Sequence, residues 1–257
     1  MIRYAYKLTA FLFLSVAYII SSAFIKSFTP CSKQSRRKLL VVNTSRFCRV
    51  LLRLLGISLS IKPQYSAHVA NRRLVLVNHL SYLDVAVLSA IFPAVFVTSY
   101  EVLNSPVEGL LARCGGSVFV DRRNKTTVVN DIRILASLLK QGFTVVLFPE
   151  ATSSSGERVL PFKSALLNAA LEARVEILPA CLNYRAIDGC GITALNRDKV
   201  FYYGEMQFMQ HFLGLLRLRK IDLELTFGDS FPAEITSRKR AAKAAFDCIS
   251  NTYIAVH

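Results

Sequence analysis

The chain has 257 residues, 53% of them apolar, and its basic side chains outnumber the acidic ones to a net charge of +15. That length can bury one sizeable core, and the absence of an internal repeat or low-complexity tract leaves one globular domain plus a membrane segment as the natural partition. The charge favours an anionic partner, either nucleic acid or an acidic bilayer surface.

The N-terminus decides between these two. From Leu8 to Ile25 the chain runs without a charge, about the minimum length of a membrane-spanning helix, and nucleic-acid binding alone would not need it. A cleaved signal peptide is the rival, because Arg3 and Lys7 precede the run and Ser21-Ser22-Ala23 resembles a small-residue cleavage site; the run is longer than a usual signal core. Lys26, Lys33, Arg36, Arg37 and Lys38 follow, so the positive-inside rule puts the remainder in the cytoplasm at the inner or plasma membrane. A span, a tilted helix and a re-entrant one fit equally well.

Residues 39–61 form a second candidate membrane segment. Arg46, Arg49 and Arg53 fall at steps of three and four among leucines, which predicts a basic amphipathic helix at the lipid interface, or an ordinary docking helix with a solvated basic face. The expected partition is a membrane-attached region over 1–61 and a catalytic domain over 62–257.

Apolar, β-rich runs at 74–78, 94–98, 117–121, 143–148 and 175–183 then alternate with helix-compatible segments at 84–91, 104–113, 126–140 and 162–173. This alternation predicts an α/β domain with a mostly parallel sheet flanked by helices. Ile221–Phe227 alternates strictly, as a half-exposed strand that is antiparallel or at an edge would, and an amphipathic helix from Ile235 to Ile254 closes the chain. Six scattered cysteines have neither disulfide-framework nor zinc spacing, and Cys181 reads as core. The basic groups near the C-terminus lack the interleaved aromatics of a nucleic-acid module.

Three of the strand-like runs end in charged residues. Leu74-Val75-Leu76-Val77 leads into Asn78-His79-Leu80-Ser81-Tyr82-Leu83-Asp84, the run at 117–120 into Asp121-Arg122-Arg123, and the run at 143–148 into Pro149-Glu150. Ligand sites in open α/β sheets lie beyond the carboxyl ends of the strands, so one crevice would receive a base, a cation and a carboxylate. A five-residue step on a regular helix leaves two side chains about 140° apart, so His79 and Asp84 meet only if a loop turns into a helix between them. Asp84 would then hold one imidazole nitrogen and leave the other for a substrate hydroxyl. The bland alternative is a satisfied histidine in a strand-to-helix turn.

His79-x4-Asp84, Gly116-x2-Phe119-Val120-Asp121-Arg122, Phe148-Pro149-Glu150-Ala151-Thr152 and Leu178-Pro179-Ala180 resemble, in order and spacing, the four blocks of the glycerolipid acyltransferases typified by lysophosphatidate acyltransferase. The resemblance covers about residues 70–230. Ala151 and Ser153 depart from the Gly and Arg usual in the third block, while Val159–Ser164 and Tyr202–Met206 with His211 look more like the bacterial lysophospholipid and lyso-ornithine-lipid branch.

The resemblance implies transfer of an acyl group from a thioester, acyl-CoA or acyl carrier protein, to a lyso-lipid hydroxyl in membrane lipid synthesis. The acceptor would be 1-acylglycerol-3-phosphate-like or, alternatively, a lyso-ornithine lipid; a non-catalytic lipid-binding homologue is the remaining alternative. His79 would be the general base and Asp84 its orienting partner. Arg122 would bind the anionic head group, with Glu150, Thr152 and Lys163 as further substrate-binding residues. An activated thioester needs no covalent enzyme intermediate, and Ser81 lacks the Gly-x-Ser-x-Gly elbow of a nucleophile. No metal or other cofactor is expected, since no second histidine or carboxylate stands at ligand spacing near His79. Anionic membrane lipids are the expected surface partner and nucleic acid is not.

Overall fold

A computed structural model describes residues 2–29, 32–62, 72–121, 127–233 and 237–257. The chain opens with two long helices, α1 (Ile2–Phe28) and α2 (Lys33–Leu55). Among the described residues α1 alone is long and apolar enough to cross a membrane, by length and composition. The Ser32 hydroxyl caps α2 by accepting from the Ser35 amide.

The helix expected over 39–61 is corrected at both ends. It starts at Lys33, and it stops at Leu55 because Gly56 takes a left-handed conformation, φ 79°, and returns its amide to Arg53 and Leu52 carbonyls. The alternating Ile57–Lys62 that follows is a strand, β1, paired in parallel with a later strand. Arg46, Arg49 and Arg53 are all exposed, as their helical spacing requires, and Arg49 also bonds the Ser45 carbonyl and hydroxyl.

The remaining elements follow in the expected alternation: β2 (Leu74–Val77), α3 (Leu83–Ile91), β3 (Val95–Ser99), α4 (Tyr100–Asn104), α5 (Glu108–Cys114), β4 (Val118–Val120), α6 (Val128–Lys140) and β5 (Val145–Leu147). A short 3-10 turn at Ala165–Leu167 leads into α7 (Asn168–Ala173), then β6 (Glu176–Ile187), β7 (Cys190–Gly191), α8 (Phe208–Leu215), β8 (Ile221–Phe227), β9 (Phe231–Pro232) and α9 (Arg238–Thr252). The helix expected at 104–113 starts only at Glu108, because Pro106 holds Ser105 out of the helical region at ψ 131°, and the short α4 that ends at Asn104 precedes it. The helix expected from 162 begins only at Ala165.

The main path of the sheet runs β1-β8-β6-β2-β5-β3-β4, with β7 and β9 also paired to β6. Strands β2 to β6 are mutually parallel, which makes the sheet mostly parallel and flanked by helices, as the alternation predicts. β8 is antiparallel to β6, but it is interior, because β1 pairs along its outer side. All four residues of β2 are buried; Val75 and Val77 join a core with α3 and α8, Leu74 and Leu76 one with α6 and α9. A strand covered on both faces has to be apolar throughout, which is why this run does not alternate.

Candidate active site

The carboxyl ends of β2, β5 and β6 converge on one loop. Beyond Val77, the Asn78 side chain continues the pairing of β2 with β6: its amide nitrogen donates to the Leu182 carbonyl at 2.9 Å and its oxygen accepts the Leu182 amide at 2.8 Å. His79 follows in extended loop, and the chain turns into α3 with Asp84 in the first helical turn.

The turn solves the five-residue problem. Asp84 is fully buried, and one of its oxygens, Oδ2, accepts from the Leu80 amide at 2.7 Å and the Ser81 amide at 2.9 Å while lying 2.8 Å from His79 Nδ1. Its other oxygen accepts the Tyr184 hydroxyl of β6 at 2.7 Å. The carboxylate thus sits at a helix N-terminus and faces four donors, which together fix the orientation of both its oxygens. The His79 ring stacks on Phe148, 4.0 Å between centroids, with 20% of its side chain exposed. With Nδ1 engaged, Nε2 is the nitrogen left for a ligand.

Glu150 holds the same loop from behind. One carboxylate oxygen accepts the His79 amide at 2.8 Å and the other the Leu160 amide at 2.9 Å, and the Ser154 amide returns to the His79 carbonyl at 3.1 Å. Burial pushes its carboxyl up to about 7. Glu150 is 4% exposed, so the structure places it as a loop clamp on chain amides instead of at the cavity wall.

His79 opens onto an apolar cavity of about 410 Å³. Ala151, Thr152 and Ser153 stand beside it there; much of the remaining wall comes from α1 (Phe11, Leu14, Tyr18), α2 (Phe47, Leu51) and α3, with further side chains from β3, α5 and α8. The exposed Thr152 hydroxyl reaches the Ser153 carbonyl at 3.3 Å. Lys163 is not in this cavity. It borders a second, smaller one of about 80 Å³ with Asp121 and Asp131, separated from the first by Phe148 and Ala151, which line both. Arg122 lies outside the described residues. The structure therefore brings together His79, Asp84, Glu150 and Thr152, and sets Lys163 apart.

Two contributors carry no obvious sequence signal. Tyr184 lies in an apolar strand with no motif around it, and the α1 wall needs tertiary docking. Asn78, adjacent to His79 and polar at the end of a buried run, could have been found as a loop-fixing residue. Docking of α1 uses basic side chains on backbone carbonyls: Lys7 Nζ donates to Leu55 and Leu218 carbonyls at 2.8 and 2.9 Å, Arg3 to Arg217 at 3.2 Å and Lys26 to Arg113 at 2.9 Å. The opposite side leaves Tyr6, Phe13, Val16, Ile20, Phe24 and Phe28 exposed.

Comparison with known proteins matches this arrangement. Residues 61–183 fit the model of the family described as Acyltransferase. The chain is 35% identical to the lyso-ornithine lipid O-acyltransferase of Brucella abortus over 77% of its own length and 76% of that protein's. It is also 35% identical to the 1-acyl-sn-glycerol-3-phosphate acyltransferase of Neisseria meningitidis over 53% of each chain, so it spans about half of that relative. The fold of the 1-acyl-sn-glycerophosphate acyltransferase of Thermotoga maritima superposes with a TM-score of 0.67, covering 98% of this chain and 95% of that one at 19% identity. A histidine oriented by a buried aspartate, a mostly parallel sheet and these relatives agree: the chain belongs to the acyltransferase family, enzymes that transfer acyl groups in lipid biosynthesis.

Proposed function

We propose that this protein moves a fatty acyl group from a thioester donor to the free hydroxyl of a lyso-lipid at the membrane surface. The observation that carries the proposal is His79, held by Asp84 at 2.8 Å and opening directly onto an apolar cavity. His79 Nε2 takes the proton of the acceptor hydroxyl as its oxygen forms the new bond to the thioester carbonyl carbon. Asp84 fixes the tautomer and stabilises the imidazolium. Collapse of the tetrahedral intermediate breaks the C–S bond, and the leaving thiolate takes the proton back. The thioester supplies the activation, so positioning and one base suffice.

The cavity would hold the acyl chain. Its α1 and α2 walls give residues 1–61 two tasks, membrane attachment through the exposed apolar side of α1 and closure of the cavity through the docked side. Loss of the segment before Ala23 by signal cleavage would remove Phe11, Leu14 and Tyr18 from that wall. We place the catalytic domain, whose sheet includes β1 from Ile57, at the cytoplasmic side of the inner membrane, where acyl-CoA or acyl carrier protein is available and anionic lipids meet the basic surface. Arg122 is assigned to the acceptor's anionic group, Thr152 to the cavity entrance beside His79, and Lys163 to anionic substrate groups reaching the smaller cavity. Glu150 orders the loop that carries His79.

For the acceptor, the 205-residue match to the Brucella abortus protein favours a lyso-ornithine lipid, and the 136-residue match to the Neisseria meningitidis protein supports 1-acylglycerol-3-phosphate as the second candidate. Purified protein in mixed micelles, given labelled palmitoyl-CoA or palmitoyl-acyl carrier protein with either lyso-lipid, tests both. Label should pass to a lyso-lipid, fastest to lyso-ornithine lipid; free fatty acid as the only product would overturn the proposal.

A further inference from the structure

We propose that Tyr184 is a positioning residue of the acyl transfer, its hydroxyl holding Asp84 in the orientation that lets this carboxylate fix His79. The inference rests on His79 and Asp84 acting as the catalytic pair. Three donors converge on one Asp84 oxygen, and all belong to the same short loop, residues 79–81. Those bonds would move with the loop. Tyr184 alone of the four donors comes from another element, the middle of the sheet, and it takes the opposite oxygen at 2.7 Å. It therefore ties the pair to β6 and stops the carboxylate from turning about its own Cβ–Cγ bond.

The phenol is well suited to this work. Its ring is 5% exposed and packs edge-on against Phe201, 5.1 Å between centroids. Its hydroxyl donates to Asp84 at 2.7 Å, and the Ser81 hydroxyl of the His79 loop acts on the phenol from the other side. Burial and the neighbouring Asp84 raise the phenol well above its ordinary range, which keeps the donor protonated at any working pH. Among the described residues, the titratable groups facing Asp84 and His79 besides Tyr184 are Glu150 from the loop after β5, Tyr82 from the His79 loop itself and Tyr253 after α9.

A tyrosine that merely fills the core would show its loss in stability, not in the proton chemistry of His79. Tyr184→Phe keeps the ring and removes the donor. It should lower kcat about tenfold with both KM values unchanged, since a hydrogen bond to a charged group is worth about 1.5–3 kcal/mol. With one oxygen left unpaired, the carboxylate charge is less compensated and favours imidazolium, so the acid limb of the kcat–pH profile should move to higher pH. Titration of the His79 ring by NMR, one of four histidines, should move the same way. Ser81→Ala, which removes the hydroxyl that acts on the Tyr184 phenol, should give a smaller shift in the same direction and serves if Tyr184→Phe folds poorly. Unchanged kcat and ring titration in both variants, or a kcat loss that tracks lost folded protein while the titration stays put, would overturn the proposal. Because the NMR titration needs no turnover, it separates failure of the positioning role from failure of the proposed activity.

Discussion

The two ends of the cavity beside His79 are built by opposite means. Around His79 the chain places buried polar groups within 2.7–2.9 Å of one another, drawn from β2, α3, β6 and the loop after β5. Around α1 it places apolar side chains, and the docking is secured by a few long basic side chains that cap carbonyls. The first end fixes atoms and the second fixes a volume. Chemistry that depends on proton position needs the former, and accommodation of a flexible chain tolerates the latter.

The contrast is broken most severely at the polar end. Asp84→Asn keeps the volume but presents an amide where Oδ2 now accepts from two backbone amides, and it loses the His79 tautomer. Turnover should fall by about two to four orders of magnitude with acceptor KM little changed, as steady-state kinetics would show. A fall of less than about tenfold would mean that His79 does not depend on its partner.

At the apolar end Lys7 is the point of leverage. Lys7→Met leaves the Leu55 and Leu218 carbonyls without this ammonium and frees α1 to lift from the domain. We expect kcat/KM for a long-chain donor to drop about tenfold, on the scale of one charge-assisted hydrogen bond, with a smaller loss for a short-chain donor. Equal losses for both would show that α1 does not shape the chain-binding volume.

The unequal legibility of the two ends has a physical cause. The buried runs of β2, β5 and β6 and the His79–Asp84 step are local patterns, so the parallel sheet and the approach of His79 to Asp84 could be read from neighbouring residues. β1 was hidden, because the apolar residues of 51–61 suit a helix until Gly56 is recognised as its stop. Tyr184 and the inner side of α1 acquire their roles through contacts far away in sequence, such as Tyr184 with Asp84 and Lys7 with Leu55 and Leu218. Lys163 was grouped with the site by motif proximity, yet Phe148 and Ala151 stand between the two cavities.

Glu150 sharpens the comparison through pH. Its folded-state carboxyl is raised to about 7 from 4.5, so the folded protein binds the extra proton between those values. Stability should be greatest below the lower value and decline as pH rises towards about 7, with no further contribution from this group above it. Glu150→Gln removes the titration and one amide acceptor; it should melt lower at pH 5 and show a flatter dependence from pH 5 to 7 in thermal unfolding. A slope identical to that of the parent would assign the dependence to another group.

The smallest effect concerns Ala151, a non-glycine residue at φ 66° on the wall between the cavities. Left-handed backbone costs a side-chain-bearing residue about 1–2 kcal/mol, and glycine's extra freedom in the unfolded chain returns about 0.5–1 kcal/mol of that. Ala151→Gly should therefore raise the melting temperature by a few degrees at most. A lower melting temperature would show that the methyl group packs against the wall by more than the strain it carries.

The most direct test is single-turnover transfer from a labelled acyl thioester to the preferred lyso-lipid, comparing the intact protein with His79→Ala. The variant should stay folded and membrane-bound, because the ring is partly exposed and its removal takes little from the core. Removing the base should slow transfer by about two to four orders of magnitude. Transfer by a folded His79→Ala protein within about tenfold of the parent rate would contradict the assignment of His79 as the base that the cavity and its polar end are built around.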